Sequence, residues 1–369
     1  MNSICLQELK LENYRNFRSL KIEVPPSKNV IIIGDNGTGK TNILEAISLF
    51  SPGRGLRNAK FDEICNVEAD RWHSEGLFHS KINDARISSQ FNKNLAKRNL
   101  QFNGSKITNS ELCKFLNIIW LTPQMENIFF ESTSSRRKFF DKIVYNFYPE
   151  HAANIHKYEY YASERLHILQ QKLPDERWLS VIESKIAVVS LNIAKLRQLV
   201  LDKMEISIRE LVSEFPKSSL SIEGAVESML NTDAEEDAVD QICYQLLNAR
   251  IKDKFSGKTN FGVHRSDFLV SHQEKNKPAK LCSTGEQKAM LVSIVIAQIN
   301  ASIKAGDHAP IVLLDEIFVH LDDRRKEYLI DFLEQANLQF WMTATDFSGI
   351  ERLKNISTEI NTESLMHAV

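Results

Sequence analysis

Apolar and polar positions alternate near the start of the chain. Leu20, Ile22 and Val24 are separated by Lys21 and Glu23, the two-residue period of a strand with one face in water. Residues 4–33 read as strands throughout. Pro25-Pro26 interrupts them, and the apolar NVIIIG that follows has the pattern of a strand covered on both faces inside a parallel sheet. NILEAISLF then changes to helical spacing with one apolar face. Residues 60–122 predict a mixed, sheet-rich region that closes on the apolar strand NIIWLT.

After Pro123 the period lengthens. From about 132 to 254 the pattern is helical, broken once at Pro174. Trp178, Ile182, Ile186, Val189, Ile193, Leu196 and Val200 recur at three and four residues, an apolar stripe that predicts a core-facing helix. Long helical stretches on both sides of Pro174 suggest an arm or hairpin, too short for a coiled coil of many heptads. The acidic NTDAEEDAVD (231–240) reads as a solvated loop and helix start. From about 255 strands return: PIVLLDE and QFWMTAT are buried strands, with the amphipathic helix DDRRKEYLIDFLEQA between them.

Composition adds limits rather than a function. The chain has 369 residues, 43% hydrophobic and 25% charged, which allows two domains or one large domain with an insertion. A net charge of −2 carries no global basic signature, so nucleic acid would have to be met by local patches. Cys5, Cys65, Cys113, Cys243 and Cys282 are scattered without a CxxC pair, as expected of reduced thiols in a cytoplasmic protein. The first residues lack a signal-peptide core, and no apolar run approaches a membrane span.

The chemistry begins at GDNGTGKT. Gly34, Asp35, Asn36, Gly37, Thr38, Gly39, Lys40 and Thr41 satisfy G-x-x-x-x-G-K-[ST] between a buried strand and a helix. Glycines allow the backbone to wrap a polyphosphate with its amides turned inward. Lys40 would reach the β- and γ-phosphates of ATP, and the Thr41 hydroxyl would ligate Mg²⁺. IVLLDE supplies the second half: its buried strand carries Asp315 to the carboxyl end, where it can hold Mg²⁺, and Glu316 follows as candidate catalytic base.

LCSTGEQKAM, residues 281–290, opens another helix. Ser283 and Glu286 form a capping box, which leaves Gly285 unexplained in the first turn. S-T-G-E-Q shortly before a Walker B strand resembles the signature motif of the ABC ATPase superfamily. That resemblance implies that Ser283, Gly285 and Gln287 bind the γ-phosphate of ATP held by a second subunit.

Conventional transporter ATPases place the signature much closer to the P-loop and carry a switch histidine, where FWMTATD here offers Thr343 or Thr345. SMC proteins separate the halves by hundreds of coiled-coil residues. An intermediate insertion with a short arm resembles the RecF family of recombination mediators. LENYRNF (11–17), GRGLR (53–57), SSRRKFFD (134–141), GVHRSDF (262–268) and LLDEIFVHLDDRRKEYL are similar to its motifs in order. Two segments depart from it: TPQMEN stands where SPED is common, and HRSD has a serine in place of a second aspartate, which leaves the role of His264 and Arg265 open. Gln124 in TPQMEN would be the Q-loop glutamine at Mg²⁺ and the attacking water, counted with Glu316 and Lys40 among the catalytic groups. Asp322 would be the D-loop aspartate, with His320 just before it.

The resemblance implies an α/β fold: an ABC-type ATPase head with a P-loop, a mixed or parallel sheet with flanking helices, and an inserted helical arm. The expected division is 1–130 for the N-terminal half with Walker A and Q-loop, 131–255 for the arm, and 256–369 for signature, Walker B and D-loop. It further implies a weak, DNA-stimulated ATPase that dimerises on ATP and binds duplex DNA or single-strand/duplex junctions. RecO and RecR would be its partners in loading RecA during recombinational repair. Arg54, Arg57, Lys60, Arg136, Arg137 and Lys138 form local basic clusters that could contact DNA phosphates without reading sequence. The rival reading is an ABC-type ATPase serving another partner, in transport or alongside a nuclease or SMC complex. The long insertion and missing switch histidine oppose transport, and the residues after Asp315 leave no space for a nuclease domain. A third reading, nucleotide as a structural staple, predicts that Glu316→Gln changes nothing.

Overall fold

The computed structural model describes residues 4–25, 28–81, 83–230, 234–306, 309–336 and 338–366. The second proline of the Pro25-Pro26 break, residues 231–233 of the acidic stretch and the His320 side chain lie outside the described residues.

The alternating N-terminal pattern forms β1 (Cys5–Tyr14) and β2 (Phe17–Glu23), an antiparallel pair with Leu9 opposite Ile22 and Leu11 opposite Leu20. After the prolines come β3 (Asn29–Ile33) and α1 (Lys40–Ser48). The sheet-rich stretch resolves into β4 (Arg71–His79), β5 (Ala85–Asn92), β6 (Lys97–Phe102), β7 (Ser105–Lys106), α2 (Asn109–Phe115) and β8 (Ile118–Leu121).

The helical stretch contains α3 (Thr133–Phe147), α4 (Glu150–Leu169) and α5 (Glu176–Glu210), the last two packed as a hairpin across Pro174. Then come β9 (Ser218–Glu223), α6 (Ala225–Leu230) and α7 (Glu235–Ser256). Beyond them lie β10 (Asp267–His272), β11 (Lys277–Pro278), α8 (Thr284–Ala305), β12 (Ile311–Asp315), α9 (Asp323–Gln335), β13 (Gln339–Ala344), β14 (Ser357–Asn361) and α10 (Thr362–Met366).

The chain divides into two compact units: Met1–Glu126 with Leu211–Pro216 and Leu291–Val369, and Asn127–Glu210 with Lys217–Met290. This differs from the expected division. Residues 256–290 pack with the helical unit rather than with the C-terminal half, because β10 pairs antiparallel with β9, placing Val270 opposite Leu220. SSLSIE carries the two-residue period of a strand inside an otherwise helical stretch, and its long-range partner lies downstream.

In the first unit β14, β3, β13, β12 and β8 form a parallel sheet in that order. An antiparallel sheet runs β2-β1-β4-β5-β6-β7. One apolar core draws on both sheets and on α1: Leu9, Val30, Ile43, Leu44, Ile47 and Trp341 are all buried in it. Gln339 also links the sheets. Its buried amide accepts from Leu6 N at 2.8 Å and donates to Leu6 O at 3.1 Å and Lys28 O at 2.9 Å, giving the strand ends partners they would otherwise lack.

The second unit is built on α5, whose Ile182, Ile186 and Ile193 pack with Ile242 and Leu246 of α7. The predicted stripe holds through its middle but not at every residue: Trp178 is 43% exposed, with the Lys185 ammonium 5.7 Å from its ring centre. Two buried arginines tie the helices together. Arg197 meets Asp141 and Glu227, and Arg165 meets Glu183 and Asp253.

Candidate nucleotide-binding site

In an open parallel sheet, ligands sit beyond the carboxyl ends of the strands. β3 ends at Ile33 and the glycine loop begins at once. Gly34, Gly37 and Gly39 all have positive φ, and Gly39 is the N-cap of α1 without any side-chain cap. The amides of the first turn are therefore available to an anion. A Cβ at Gly39 would stand 2.7 Å from Asn16 Nδ2 and 2.8 Å from the Phe17 ring, whereas at Gly37 it would meet nothing within 4 Å. The loop is thus tight against the protein at Gly39 and open at Gly37, a cradle shaped for a polyphosphate. Thr362, which the sequence pattern does not reveal, fixes the loop from beneath: its hydroxyl is 2.7 Å from Thr38 Oγ1 and 3.2 Å from Ile33 O. A lone threonine far from the P-loop carries no local signal. Only the pairing of β14 beside β3 brings it there.

Lys40 is buried. Its ammonium donates to Gly34 O at 2.6 Å and Asp35 O at 3.0 Å, and lies 4.0 Å from Glu316 Oε1. Thr41 Oγ1 donates to Asp315 Oδ1 at 3.0 Å. The carboxylate itself is buried at the end of β12. From the neighbouring β13, Thr343 donates to the same oxygen at 2.8 Å, and the Glu316 amide donates to Thr343 Oγ1 at 3.0 Å. The two threonines considered for the switch position are thereby separated: Thr343 is spent on Asp315, while Thr345 is exposed past the strand end. A hydroxyl and a carboxylate converging on one point make a hard oxygen donor set, which fits Mg²⁺. Glu316 follows in a left-handed backbone, φ 49°. Gln124 is exposed just past β8, which runs parallel beside β12 with Leu121 level with Leu314.

The second unit carries the STGEQ segment. The expected capping box is present: Ser283 N donates to Glu286 Oε2 at 2.8 Å, and Glu286 N donates to Ser283 Oγ at 3.4 Å. Lys275, together with the Ser283 amide and hydroxyl, holds the Glu286 carboxyl at about 2. A Cβ at Gly285 would meet nothing within 4 Å, so the first turn of α8 is bare on that side. Gln287 is placed differently from the sequence-based expectation. It is 2% exposed and its amide donates to Cys282 O at 3.0 Å, bracing the turn rather than facing a ligand. In the first unit Asp322 caps α9, accepting from Arg325 N at 3.0 Å.

The basic candidates divide in the same way. Arg54 and Lys60 are exposed beside a surface cavity of 600 Å³ that Lys93 also lines. Arg57 reaches back to Asn42 Oδ1 on α1 at 2.6 Å. Arg136 forms a two-pronged pair with Asp267, at 2.9 and 2.6 Å, and Arg137 donates to Ser266 O at 2.9 Å. Both guanidiniums hold α3 to the β10 region, leaving Lys138 as the exposed member of that cluster. His264 bridges the Tyr158 hydroxyl and Thr259 O, and burial lowers its pKa, as for a structural histidine.

A P-loop and an aspartate-ended strand flanking β13 in one parallel sheet, with a second antiparallel sheet on the same core, define an ABC-type ATPase head. The family model described as RecF/RecN/SMC N terminal domain matches residues 5–364. Relatives called DNA replication and repair protein RecF are 51% identical over 355 residues in Rickettsia felis, covering 96% of this chain and 97% of the relative. In Rickettsia prowazekii the figure is 50% over 355 residues, covering 96% and 98%. A solved structure of the recombination mediator protein RecF-ATP in the RecFOR pathway superposes with TM-score 0.85 at 23% identity, covering 98% of each chain. An Smc head bound to the C-terminal domain of ScpA, from Pyrococcus furiosus, gives 0.52 at 16%, covering 96% of this chain and 92% of that one. Both structures share the fold. The chain belongs to the RecF/RecN/SMC family and, within it, to the RecF proteins of DNA replication and repair.

Proposed function

We propose that this chain is an ATP-driven DNA clamp of recombinational repair. The convergence of Lys40, Thr41, Asp315 and Glu316 at the carboxyl end of one parallel sheet carries the reading. Lys40 and the P-loop amides bind the phosphates of ATP, and Thr41 and Asp315 hold Mg²⁺, which neutralises phosphate charge. Glu316 takes the proton of the attacking water, with Gln124 orienting that water. Ser283 and Gly285 at the bare start of α8, with Asp322, face the nucleotide of a second subunit, so two copies close head to tail on ATP.

Closure grips duplex DNA or a single-strand/duplex junction through phosphates. Arg54, Arg57, Lys60 and Lys138 are the exposed cations of the candidate set, which suits such non-specific contact. Slow, DNA-stimulated hydrolysis then opens the clamp. RecO and RecR are the partners through which it promotes RecA loading in the cytoplasm. Family membership and the long insertion between P-loop and signature support this over a transport role.

Light-scattering mass of the Glu316→Gln protein tests it, without nucleotide, with ADP and with ATP. At high salt and a concentration where the nucleotide-free protein is monomeric, dimers are expected with ATP alone and none after Ser283→Arg. A mass indifferent to both ATP and Ser283 overturns the clamp.

A further inference from the structure

α7 is apolar on two opposite faces. Ala238, Ile242 and Leu246 are buried against the core of the second unit, as a surface helix requires. On the other side Tyr244 (62% exposed), Leu247 (48%) and Ile251 (72%) form a second apolar row in water. A row of that kind on a surface helix marks an interaction face.

The spacing of the row identifies its occupant. Asp240, Tyr244, Leu247, Ile251 and Lys254 follow one another at four, three, four and three residues, the a/d spacing of a helix-pairing seam. The row is antisymmetric in charge about Leu247. Asp240 lies about 11 Å before Leu247 and Lys254 about 11 Å after it, at 1.5 Å of rise per residue. Laid antiparallel on itself, such a helix sets each aspartate opposite a lysine and Tyr244 opposite Ile251. A parallel arrangement would set like charges together.

We infer that α7 is a self-association surface: a second copy of this chain packs antiparallel along the seam, with Leu247 on the twofold axis. The interface is isologous, each contact occurring twice. It needs neither nucleotide nor Ser283, which separates it from the ATP-driven closure proposed above.

Sedimentation velocity of the nucleotide-free protein at low salt, across a wide concentration range, tests the inference. A concentration-dependent dimer that weakens with salt is expected, and Ile251→Glu should be monomeric with an unchanged melting temperature because its side chain is exposed. Asp240→Lys and Lys254→Asp should each weaken association about tenfold, through like charges facing one another. The double variant should restore it, which a merely structural role would not produce. A short thiol cross-linker should join Leu247→Cys protomers much faster than Val67→Cys protomers, Val67 being 97% exposed in the other unit. A wild type monomeric throughout, with equal cross-linking of the two cysteine variants, overturns the inference, as would any other occupant of the seam.

Discussion

Thr343 holds Asp315 across two adjacent parallel strands: its hydroxyl donates to Oδ1 at 2.8 Å while accepting from the Glu316 amide at 3.0 Å. One buried hydroxyl thus orients the candidate Mg²⁺ carboxylate and fixes the backbone of the candidate base. Thr343→Val keeps the shape and removes both bonds. Groups that orient a metal ligand typically contribute tenfold or more to metal affinity, so the Mg²⁺ midpoint for ATP binding should rise about tenfold. Thr343→Ser should stay near wild type. Titrating Mg²⁺ against a fluorescent ATP analogue checks this, and a valine variant with an unshifted midpoint would show that Thr41 alone positions Asp315.

Much of this site is legible in the sequence because each part is local. GDNGTGKT is a contiguous loop between two recognisable elements, and IVLLDE announces its burial by being apolar. Thr362 is not legible, and Thr343 is legible only as a switch candidate, since the contacts of both depend on which strands become neighbours. Charge was the weakest guide. Arg136 and Arg137 read as a basic patch, yet their planar forks are taken up by Asp267 and Ser266, partners more than a hundred residues away. Gln287 belongs to the signature by position and to the core by packing. In each case the side chain's partner, not its type, decides its job.

Glu316 occupies the left-handed region, φ 49° and ψ 33°. For a residue with a Cβ this costs about 1–2 kcal/mol. In ordinary backbone, replacement by glycine is destabilising by about 0.5–1 kcal/mol. At Glu316 relief of strain should offset that loss, so Glu316→Gly should melt at or slightly above the wild-type temperature while hydrolysing ATP at least a hundredfold more slowly, the usual scale for a lost general base. Calorimetry and a phosphate-release assay report the two effects separately. A clear drop in melting temperature would mean that the carboxylate, 4.0 Å from Lys40, stabilises the loop more than the backbone strains it.

The division of the basic residues has a measurable consequence in salt. Each cation withdrawn from a DNA phosphate reduces the slope of log affinity against log salt by about 0.9 for duplex DNA. Arg54→Ala and Lys60→Ala should each lower the slope by about that amount. Arg136→Ala should leave the slope alone and instead destabilise the second unit, because Asp267 is left without its two-pronged partner. Fluorescence anisotropy at several salt concentrations distinguishes them. A reduced slope for Arg136→Ala with normal stability would place Arg136 on DNA.

Acid sensitivity should trace to the second unit. Burial pushes the Asp141 carboxyl up, but the Arg197 guanidinium and the hydrogen bond from His151 outweigh it and hold the group at about 2. An unfolded aspartate titrates near 3.9. Because the folded value is the lower one, the unfolded chain binds the proton first, so this contribution is complete above about pH 4. It fades as the pH falls through that value toward 2, and over the interval it amounts to about 2.5 kcal/mol. Asp141→Asn abolishes the titration but removes one of the two carboxylates that meet Arg197, itself 1% exposed, leaving the charge of Glu227. Removing one partner of a buried pair costs about 3–5 kcal/mol at neutral pH. Urea midpoints measured from pH 5 to 2 should therefore start lower for Asp141→Asn and fall less steeply than for the wild type. Parallel curves would locate the acid-sensitive carboxylates elsewhere, even if the variant is less stable throughout.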